Sequence, residues 1–395
     1  MTIQLPIPMS SPDVTLSDIA AVNAVLQTPV LSIGPQQEAF ERAAADYVGA
    51  QFGIGVNSGT AGLHLSVIAA GVEQDDWVIA SPFSFIASAN AIMYERGIPI
   101  FIDVDPQTGN IDPAKVAEAV HDLAKGDGTH WLPRTVCNQQ ATTFRLKAIL
   151  PVHAFGQPAD MNPILDVANR YQLSVIEDAC EAIGAEYKGR KAGTLGNVGV
   201  FAFYPNKQMT TGEGGMLVTG DENWANLFRS LRNQGRDVFD AWLNHPRLGY
   251  NYRLDEMSAA LGLSQITRLD ELLNKRAQVA RWYNARLQDE ELIEAPHVAD
   301  TTMRMSWFVY VVRIKPPAVR NTVIEYLRAA GVPSRQYFMP IHLQPFYRDK
   351  FCYQRGDFPV TEHLGDVSLA LPFSGVLTEE QVDYVCQQLH HAVGG

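Results

Sequence analysis

Phe201-Ala-Phe-Tyr-Pro-Asn-Lys207-Gln-Met-Thr-Thr-Gly-Glu-Gly-Gly215 contains the most informative lysine of this chain. An apolar, strand-like run ends just before Lys207, and a glycine-rich turn follows it. A lysine held at the end of a strand can have its ammonium group desolvated, which lowers the cost of forming the neutral amine that imine chemistry needs. Most lysines in any chain are solvated surface charges, so Lys207 alone does not indicate a catalytic role, and other motifs must support one.

A second motif supplies a partner for this lysine. Val175-Ile-Glu-Asp178 is predicted to be a buried strand that ends in a carboxylate. A lysine that forms a Schiff base, together with an aspartate directed at a pyridinium nitrogen, is the minimum equipment of an enzyme that uses pyridoxal 5'-phosphate. As an anion, Asp178 would keep that nitrogen protonated through a charge-assisted hydrogen bond. Viewed alone, the motif fits a helix N-cap equally well.

Strand-like and helix-like segments alternate from residue 52 to residue 219. The predicted strands lie at residues 52–56, 77–80, 98–104, 148–152, 173–177, 198–204 and 216–219. Predicted helices lie at residues 15–26, 37–47, 61–70, 84–94, 113–120, 160–171 and 223–233. Because strand, helix and strand follow one another at this spacing, we expect parallel strands joined by crossover helices, and therefore an α/β fold.

The pattern changes between Pro246 and Asn251. After this point the sequence predicts a helical segment at 254–287, a strand at 307–314, and helices at 321–330 and 379–392. We therefore predict a large α/β domain over residues 1–250 and a smaller α+β domain over residues 251–395. Residues 126–145 are polar and irregular, and we expect them to form a surface excursion.

Size and charge narrow the functional classes. The chain has 395 residues, and hydrophobic residues make up 46% of it, which is enough to bury a substantial core. Its formal net charge of -12 argues against a nucleic-acid binder and against a protein of anionic membrane surfaces, both of which need a basic face. No apolar run approaches the roughly 18–20 residues that span a bilayer.

Cysteine usage and the N-terminus indicate a cytoplasmic setting. The four cysteines are widely scattered, at Cys137, Cys180, Cys352 and Cys386. No pair has C-x-x-C spacing, so neither a disulfide framework nor a zinc site is predicted, and no other ordered set of metal ligands is evident. The first ten residues lack a basic region followed by an apolar core, so we expect no signal peptide.

A phosphate-binding turn is predicted at Asn57-Ser-Gly59-Thr60-Ala-Gly62, between a strand and a helix. Backbone N–H groups at a helix start, together with the positive end of the helix dipole, bind phosphate readily. Gly59 allows close approach of the backbone, and Thr60 adds a hydroxyl donor. The motif alone fits an ordinary turn with an N-cap better than a phosphate site, and it matches no nucleotide-binding fingerprint.

Four further residues are weaker candidates. Phe85, in Pro82-Phe-Ser-Phe85, follows a strand and could stack on a planar ring, although a lone phenylalanine more often belongs to a core. His153 follows another strand and is more often a structural histidine there. His342, in Pro340-Ile-His342, and Arg335 are predicted to face the same cleft from the second domain and to bind substrate.

With these motifs assembled, the chain resembles the DegT/DnrJ/StrS family of pyridoxal-phosphate-dependent aminotransferases, which act mostly on keto sugars attached to nucleotides. The resemblance runs nearly from end to end. It rests on Leu31-Ser-Ile-Gly-Pro35, Asn57–His64, Val152-His-Ala-Phe-Gly-Gln-Pro-Ala-Asp160, Glu177-Asp-Ala, Phe203–Lys207, Thr211–Gly215, Leu231-Arg-Asn, Gly249-Tyr-Asn-Tyr-Arg253 and Pro340-Ile-His342. Each motif is weak alone, but their order and spacing together are highly specific.

The resemblance implies a fold type I, aspartate-aminotransferase-like enzyme with a mixed, mostly parallel sheet. Lys207 would form the Schiff base, and Asp178 would face the pyridine nitrogen. The other implied contacts are Gly59 and Thr60 at the phosphate, Phe85 against the ring, Glu181 near the cofactor, and Asn251 at the phosphate of a partner subunit. A homodimer with shared active sites is therefore implied.

Two positions depart from the family pattern. Ala202 stands where the family usually has a serine that contacts the phosphate, so one donor is missing. Glu181 stands where the family usually has glutamine or histidine, near the cofactor's anionic phenolic oxygen. Because two negative groups at close range disfavour each other, we hypothesise that Glu181 is protonated when the cofactor is bound or turns away from it.

The resemblance also implies the reaction. An amino acid, glutamate or glutamine, would give its amino group, Lys207 would act as general base, and a nucleotide-linked 3- or 4-keto-6-deoxy sugar would receive the amine. A dehydratase on this scaffold is disfavoured, because such relatives replace the lysine with histidine. An aminotransferase acting on a cyclitol or another cyclic ketone, or a non-catalytic regulator that binds the cofactor, fits the sequence as an alternative.

Overall fold

The computed structural model describes residues 6–137, 145–237 and 244–394. The strands are β1 (Phe52–Val56), β2 (Trp77–Ala80), β3 (Ile98–Phe101), β4 (Leu146–Leu150), β5 (Ser174–Asp178), β6 (Glu186–Tyr187), β7 (Arg190–Lys191), β8 (Val198–Ala202), β9 (Gly215–Thr219), β10 (Ile293–Glu294), β11 (Thr302–Arg304), β12 (Tyr310–Ile314) and β13 (Ser368–Leu371). The α-helices are α1 (Leu16–Leu26), α2 (Pro35–Val48), α3 (Gly59–Ala69), α4 (Ala87–Tyr94), α5 (Pro113–Lys125), α6 (Arg134–Cys137), α7 (Met161–Tyr171), α8 (Glu222–Arg232), α9 (Glu256–Thr267), α10 (Leu269–Leu287), α11 (Arg320–Ala329), α12 (Pro345–Phe351), α13 (Pro359–Val367) and α14 (Glu379–Gly394). Short 3₁₀ turns lie at Gly128–Trp131, Ala154–Gly156 and Ile341–Leu343.

A seven-stranded sheet forms the centre of the molecule, in the order β1-β9-β8-β5-β4-β2-β3. Strand β9 runs antiparallel to β1 and β8, and the other neighbouring pairs are parallel. Apolar residues dominate these strands, and β2, with the sequence WVIA, is buried along its whole length. Strands of this kind need cover on both faces. The predicted α/β class with a mixed, mostly parallel sheet is confirmed.

Parallel pairing brings several connections to one edge of the sheet. Strands β1, β2, β4, β5 and β8 all point their carboxyl ends toward this edge. The segments that follow them carry Asn57–Gly62, Phe85, His153, Asp178 and Lys207. Because ligands of open α/β sheets bind outside the carboxyl ends of the strands, this edge is the place to look for a site.

A second, antiparallel sheet has the order β10-β12-β13. Its apolar core includes Val279 of α10, Leu327 of α11 and Leu389 of α14, and Ile7 joins this core from the N-terminal segment. Helix α9 instead packs against α1 and α2. A small sheet, β11-β6-β7, connects residues 302–304 with the turn that follows β5. The predicted division into domains at residue 250 stays a prediction.

Several predicted boundaries are wrong, for reasons that lie in tertiary contacts. The predicted helical segment 254–287 is two helices, because Arg268 has non-helical angles, φ -118° and ψ 20°, and its side chain binds Asp13 and Asp18. The predicted strand 98–104 ends at Phe101, since the carboxylate of Asp105 accepts hydrogen bonds from the backbone and closes a turn.

Two helices after β12, α12 and α13, were not predicted from the sequence. Helices α12 and α13 are short and begin at Pro345 and Pro359, so neither displays a sustained helical period. The predicted surface excursion 126–145 contains α6, and its residues 138–144 lie outside the described part of the chain. Among the residues that the structure describes, no helix is both long and apolar enough to cross a bilayer.

Candidate active site

A cleft with a volume of about 540 Å³ opens at the carboxyl edge of the central sheet. Its walls include Gly59, Thr60, Phe85, Ser88, Asp178, Cys180, Glu181, Ala202, Lys207, Phe308, Arg335 and Tyr337. The cleft therefore contains most of the residues that the sequence predicts for the site. Asn251 and His342 are not among the residues that line it.

Lys207 lies at the bottom of the cleft, in the connection between β8 and β9. Its side chain is only 13% exposed, and its Nζ atom lies 3.9 Å from the centre of the Phe308 ring. The same Nζ atom is 3.6 Å from Oε1 of Glu181. A cation over an aromatic face is attracted by the ring quadrupole, and the carboxylate adds a second attraction. The amino group is therefore held in one place and largely shielded from water.

Arg276 of α10 holds the main chain of this lysine, and the sequence reasoning missed it. Its guanidinium donates to the carbonyl oxygens of Lys207 at 2.6 Å and Asn206 at 3.1 Å, and to those of Phe308 at 3.1 Å and Trp307 at 3.4 Å. Burial lowers the pKa of Arg276 to about 10. One side chain thus joins the lysine loop to the segment that supplies the Phe308 ring.

A sequence signal for Arg276 does exist. Leu272, Leu273, Val279 and Ala280 form the buried face of α10, and position 276 falls on that face at helical spacing. A cation among apolar residues must find partners inside the protein. Its position therefore predicts a buried role, but the sequence does not say which carbonyl groups it meets.

Asp178 ends β5 and faces the cleft from the sheet. Its Oδ2 atom accepts a hydrogen bond from Oγ of Ser88 at 2.6 Å, and its Oδ1 atom accepts one from the backbone N–H of Cys180 at 3.2 Å. The chain turns after Asp178 and does not enter a helix, so the N-cap alternative is wrong. These two hydrogen bonds do not use all the lone pairs of the carboxylate, so it can accept a further hydrogen bond from a group in the cleft.

The turn before α3 packs closely against the end of β8 and the turn after β5. Ser58 is the N-cap of α3 and accepts a hydrogen bond from the backbone of Ala61 at 3.1 Å. A Cβ atom on Gly59 would lie 2.7 Å from Cβ of Ala202 and 2.8 Å from Sγ of Cys180. Both distances are shorter than van der Waals contact, so only glycine fits here. Thr60 lies beside it in the cleft wall.

Glu181 is buried beside Lys207, with 8% of its side chain exposed. Its Oε2 atom accepts a hydrogen bond from the backbone N–H of Phe155 at 2.9 Å, and its Oε1 atom faces the lysine. Burial raises the pKa of the Glu181 carboxyl, and the charge of Asp178 adds to the rise, whereas Lys207 and the Phe155 N–H oppose it. The carboxyl group thus does not turn away from the cleft in this structure.

Glu177, one residue before Asp178, is fully buried on the other side of the strand. Its carboxylate accepts four hydrogen bonds, from Nε2 of His153 and from the backbone N–H groups of Gly193, Leu195 and Gly196. The Nδ1 atom of His153 accepts from the backbone of Ala159 at 3.1 Å, which assigns the ring proton to Nε2. The structural interpretation of His153 therefore fits its surroundings.

The structure separates the predicted substrate residues. Arg335 is exposed and lines the cleft. His342 is fully buried and lies outside the cleft lining, because its Nε2 atom pairs with Glu362 at 3.0 Å and its ring packs against Phe358. Burial also lowers the pKa of His342. The expectation that His342 faces the cleft is therefore not met.

Asn251 is exposed on the surface of its own chain. Its backbone carbonyl accepts a hydrogen bond from Nδ2 of Asn57 at 3.4 Å, and its backbone pairs with that of Asn233. Within the described ranges, no cluster of three or more His, Cys, Asp or Glu side chains is arranged to bind a metal ion. Of the cysteines, Cys180, Cys352 and Cys386 are free thiols.

Comparisons with known proteins agree with this architecture. A family model described as the DegT/DnrJ/EryC1/StrS aminotransferase family matches residues 12–390. A GDP-perosamine synthase from Caulobacter vibrioides is 40% identical over 365 residues, which cover 92% of this chain and 91% of that protein. A GDP-perosamine synthase from Escherichia coli is 32% identical over 385 residues, covering 97% and 98%. The crystal structure of S. venezuelae DesV in complex with a ketimine intermediate has 30% identity and a TM-score of 0.87, covering 99% of this chain and 100% of that one.

Proposed function

Because the chain belongs to the DegT/DnrJ/EryC1/StrS aminotransferase family, we propose a specific reaction for its cleft. The protein is a pyridoxal-phosphate-dependent sugar aminotransferase. The proposed reaction takes an amino group from glutamate or glutamine and delivers it to a 3- or 4-keto-6-deoxy sugar linked to a nucleotide. One observation carries the proposal: the amine of Lys207 and the carboxylate of Asp178 line the same cleft as the glycine turn at the start of α3.

The residues of the cleft fit pyridoxal 5'-phosphate. The phosphate would bind at Gly59 and Thr60, where the close approach of Ala202 and Cys180 leaves room for glycine alone. Asp178 would pair with the pyridine nitrogen, and Phe85, which is 63% exposed, would cover the face of the ring. When bound through Lys207, the cofactor supplies an electron sink for the carbon that gains or loses the amine.

Lys207 is proposed to move the proton of that carbon. As a neutral amine, its Nζ atom would act as the general base for that proton. The Phe308 ring below Nζ and the four carbonyl bonds of Arg276 keep the amine within reach of the reacting carbon. Because the Lys207 side chain is only 13% exposed, water has little access to its amine.

The nucleotide part of the substrate is proposed to bind at the mouth of the cleft. Arg335 is exposed there, and a guanidinium suits the doubly charged diphosphate of a nucleotide sugar. The names of the two GDP-perosamine synthases that the chain resembles make a GDP-linked sugar the first candidate. A cyclitol or another cyclic ketone remains the alternative, and it would not need Arg335.

A homodimer is also proposed. Asn251 is exposed and is not among the residues that line the cleft of its own chain, which suits a residue that reaches the phosphate bound by a partner subunit. The proposal supposes two cofactor sites, each completed by the other chain. A cytoplasmic location stays a prediction that rests on the scattered cysteines.

A single-turnover experiment tests the proposed reaction. The purified protein is loaded with pyridoxal phosphate, converted to its aminated form with glutamate or glutamine, and freed of the donor. It is then mixed with a panel of 3-keto and 4-keto nucleotide sugars and cyclic ketones without a nucleotide, and the products are analysed by mass spectrometry. We expect amination of a nucleotide-linked ketone. Amination of the nucleotide-free ketones alone would contradict the proposal and favour the alternative.

A further inference from the structure

Glu181 and Lys207 form a buried pair whose charges have few other partners. The Oε1 and Nζ atoms are 3.6 Å apart, and the two side chains are 8% and 13% exposed. Among the residues that the structure describes, the N–H of Phe155, at 2.9 Å to Oε2, is the one hydrogen-bond donor given to the Glu181 carboxyl besides the nearby Lys207 ammonium. The Oε1 atom therefore meets the lysine without a second donor to hold its negative charge. A buried carboxylate with so few donors is costly when it is ionised.

We propose that Glu181 is the proton acceptor of Lys207: the two side chains share one proton, and Glu181 takes it whenever Lys207 must become a neutral amine. In this transfer one N–H bond of the Lys207 ammonium breaks and one O–H bond of the Glu181 carboxyl forms. An ion pair becomes a neutral amine and a neutral carboxylic acid. No proton passes to water, and no oxidant or reductant is needed.

The charged and titratable groups around Glu181 favour this transfer. Asp178 on β5 places a second negative charge nearby, and burial raises the pKa of the Glu181 carboxyl. Burial raises the pKa of the Cys180 thiol in the same turn, and the charges of Asp178 and Glu181 add to the rise. Burial, followed by the charge of Glu181, raises the pKa of the Tyr337 hydroxyl across the cleft. Both groups therefore stay neutral, and neither adds a charge beside Glu181. The charge of Arg335, at the cleft mouth, opposes this rise in the pKa of Tyr337. The lysine is thus the cation on which the charge of Glu181 depends.

This role goes beyond holding the lysine in place. A carboxylate that other donors hold, as four donors hold Glu177, stays ionised at neutral pH whether or not a lysine beside it is charged. A proton acceptor instead takes up a proton when the positive charge is removed. The inference deepens the proposed function, because it assigns a proton partner to the lysine that acts there as general base. It can nevertheless be tested in protein that contains no cofactor.

The test uses infrared spectroscopy on the full-length chain after the cofactor has been removed. Spectra of the carboxylic-acid C=O band are recorded from pH 4 to pH 9 for wild type, Lys207→Met, Glu181→Gln and the double variant. We expect Lys207→Met to have a band at pH 7 that the double variant lacks. In Lys207→Met, the titration midpoint of the Glu181 carboxyl should lie roughly 1–3 pH units above its midpoint in the wild type, the range expected for loss of an adjacent opposite charge.

Lys191 and Glu186 offer a matched control. This pair lies 2.8 Å apart at the surface, with side chains 23% and 29% exposed. Because water can solvate Glu186, Lys191→Met should produce no carboxylic-acid band at pH 7. The proposal is overturned if Glu181 stays ionised at pH 7 in Lys207→Met, or if its midpoint does not depend on Lys207.

A second measurement covers the case in which Lys207→Met does not fold. Competitive labelling of amino groups with acetic anhydride, followed by peptide mass spectrometry, gives the pKa of Lys207 in the wild type and in Glu181→Gln. We expect the variant to lower that pKa by roughly 1–3 units, because the carboxylate no longer stabilises the ammonium. An unchanged lysine pKa would overturn the proposal. Neither measurement uses cofactor or sugar, so its failure is distinguishable from a failure of the proposed reaction.

Discussion

Glu177 and Glu181 lie within one short stretch, yet the regions around their carboxyl groups differ sharply. Glu177 points into the packed side of β5, where His153 and three backbone N–H groups donate to its two oxygens. Glu181 points into the cleft, where one backbone N–H and the ammonium of Lys207 are its partners. Both side chains are more than nine-tenths buried, so burial alone does not separate them.

The difference lies in how completely each charge is satisfied. A buried carboxylate with four donors is stable as an anion and fixes the chain around it. One that depends on a single cation changes its protonation when that cation changes its own. We infer that Glu177 serves the fold and Glu181 serves the chemistry, and the predictions below separate these two roles.

The largest expected effect comes from removing the cation that faces Glu181. Lys207→Met should lower the rate of amino transfer by about 10²–10⁴-fold or more, because it removes the general base and the group that binds the cofactor covalently. Steady-state assays with the accepted keto sugar measure this effect. Lys147→Met, which changes a surface lysine, should retain wild-type rates; an equal loss in both variants would contradict the role of Lys207.

Glu177→Gln should cause the largest loss of stability. The new amide NH₂ would face two of the four donors that now bind Glu177, and each buried group left unsatisfied costs about 1–3 kcal/mol. We therefore expect a loss of about 2–6 kcal/mol in the free energy of unfolding, measured by urea denaturation. The matched Glu186→Gln, at the partly exposed Lys191–Glu186 pair, should cost about 1 kcal/mol or less. Equal losses in the two variants would remove the distinction.

Ala202→Ser should tighten cofactor binding. The new hydroxyl would lie beside Gly59, since Cβ of Ala202 is already 2.7 Å from the position of a Gly59 Cβ. A hydrogen bond of about 0.5–1.5 kcal/mol corresponds to a Kd for pyridoxal phosphate that is about 2- to 12-fold lower. Equilibrium titration followed by absorbance measures it. A higher Kd would mean that the phosphate of the cofactor does not bind against position 202.

The smallest expected effect is the pH dependence of Glu181→Gln. Burial raises the folded-state pKa of Glu181 above its ordinary value of 4.5, so the folded protein holds this proton more tightly than the unfolded chain. Below pH 4.5 the Glu181 carboxyl is protonated in both the folded and the unfolded state, so it does not change the free energy of unfolding with pH. As pH rises through the window up to the folded pKa, ionisation costs the wild type stability that glutamine does not lose.

Urea unfolding of the cofactor-free proteins between pH 4.5 and pH 8 checks this sign. The stability of Glu181→Gln relative to wild type should increase with pH. A relative stability that falls with pH would mean that the folded protein stabilises the Glu181 carboxylate, as it does that of Glu177.

The sequence predicted which residues meet at the carboxyl edge of the sheet, because the signals for this edge are local. Each parallel strand is an apolar run, and the residues after it reach a shared edge whatever the rest of the chain does. Lys207, Asp178, Gly59 and Thr60 were placed at this edge in this way, and all four line the cleft. The start of the predicted helix 15–26 is a local signal too: Thr15 donates to Asp18 from both its backbone N–H and its hydroxyl.

The residues that were missed or misplaced depend on distant segments. His342 looked like a cleft residue, but Phe358 and Glu362, which follow it in the sequence, enclose its ring. The position of Arg276 on the apolar face of α10 predicts burial, but its partners are carbonyl groups at residues 206–207 and 307–308, which the helix does not reveal. Pairing between segments far apart in the chain leaves no local pattern to interpret.

Borohydride reduction of the cofactor-loaded enzyme, followed by peptide mapping, tests most directly whether Lys207 is the reactive group of this cleft. The account predicts a reduced pyridoxyl group on the peptide that contains Lys207 and on no other lysine. A label on a different lysine, or no label after saturation with pyridoxal phosphate, would contradict it.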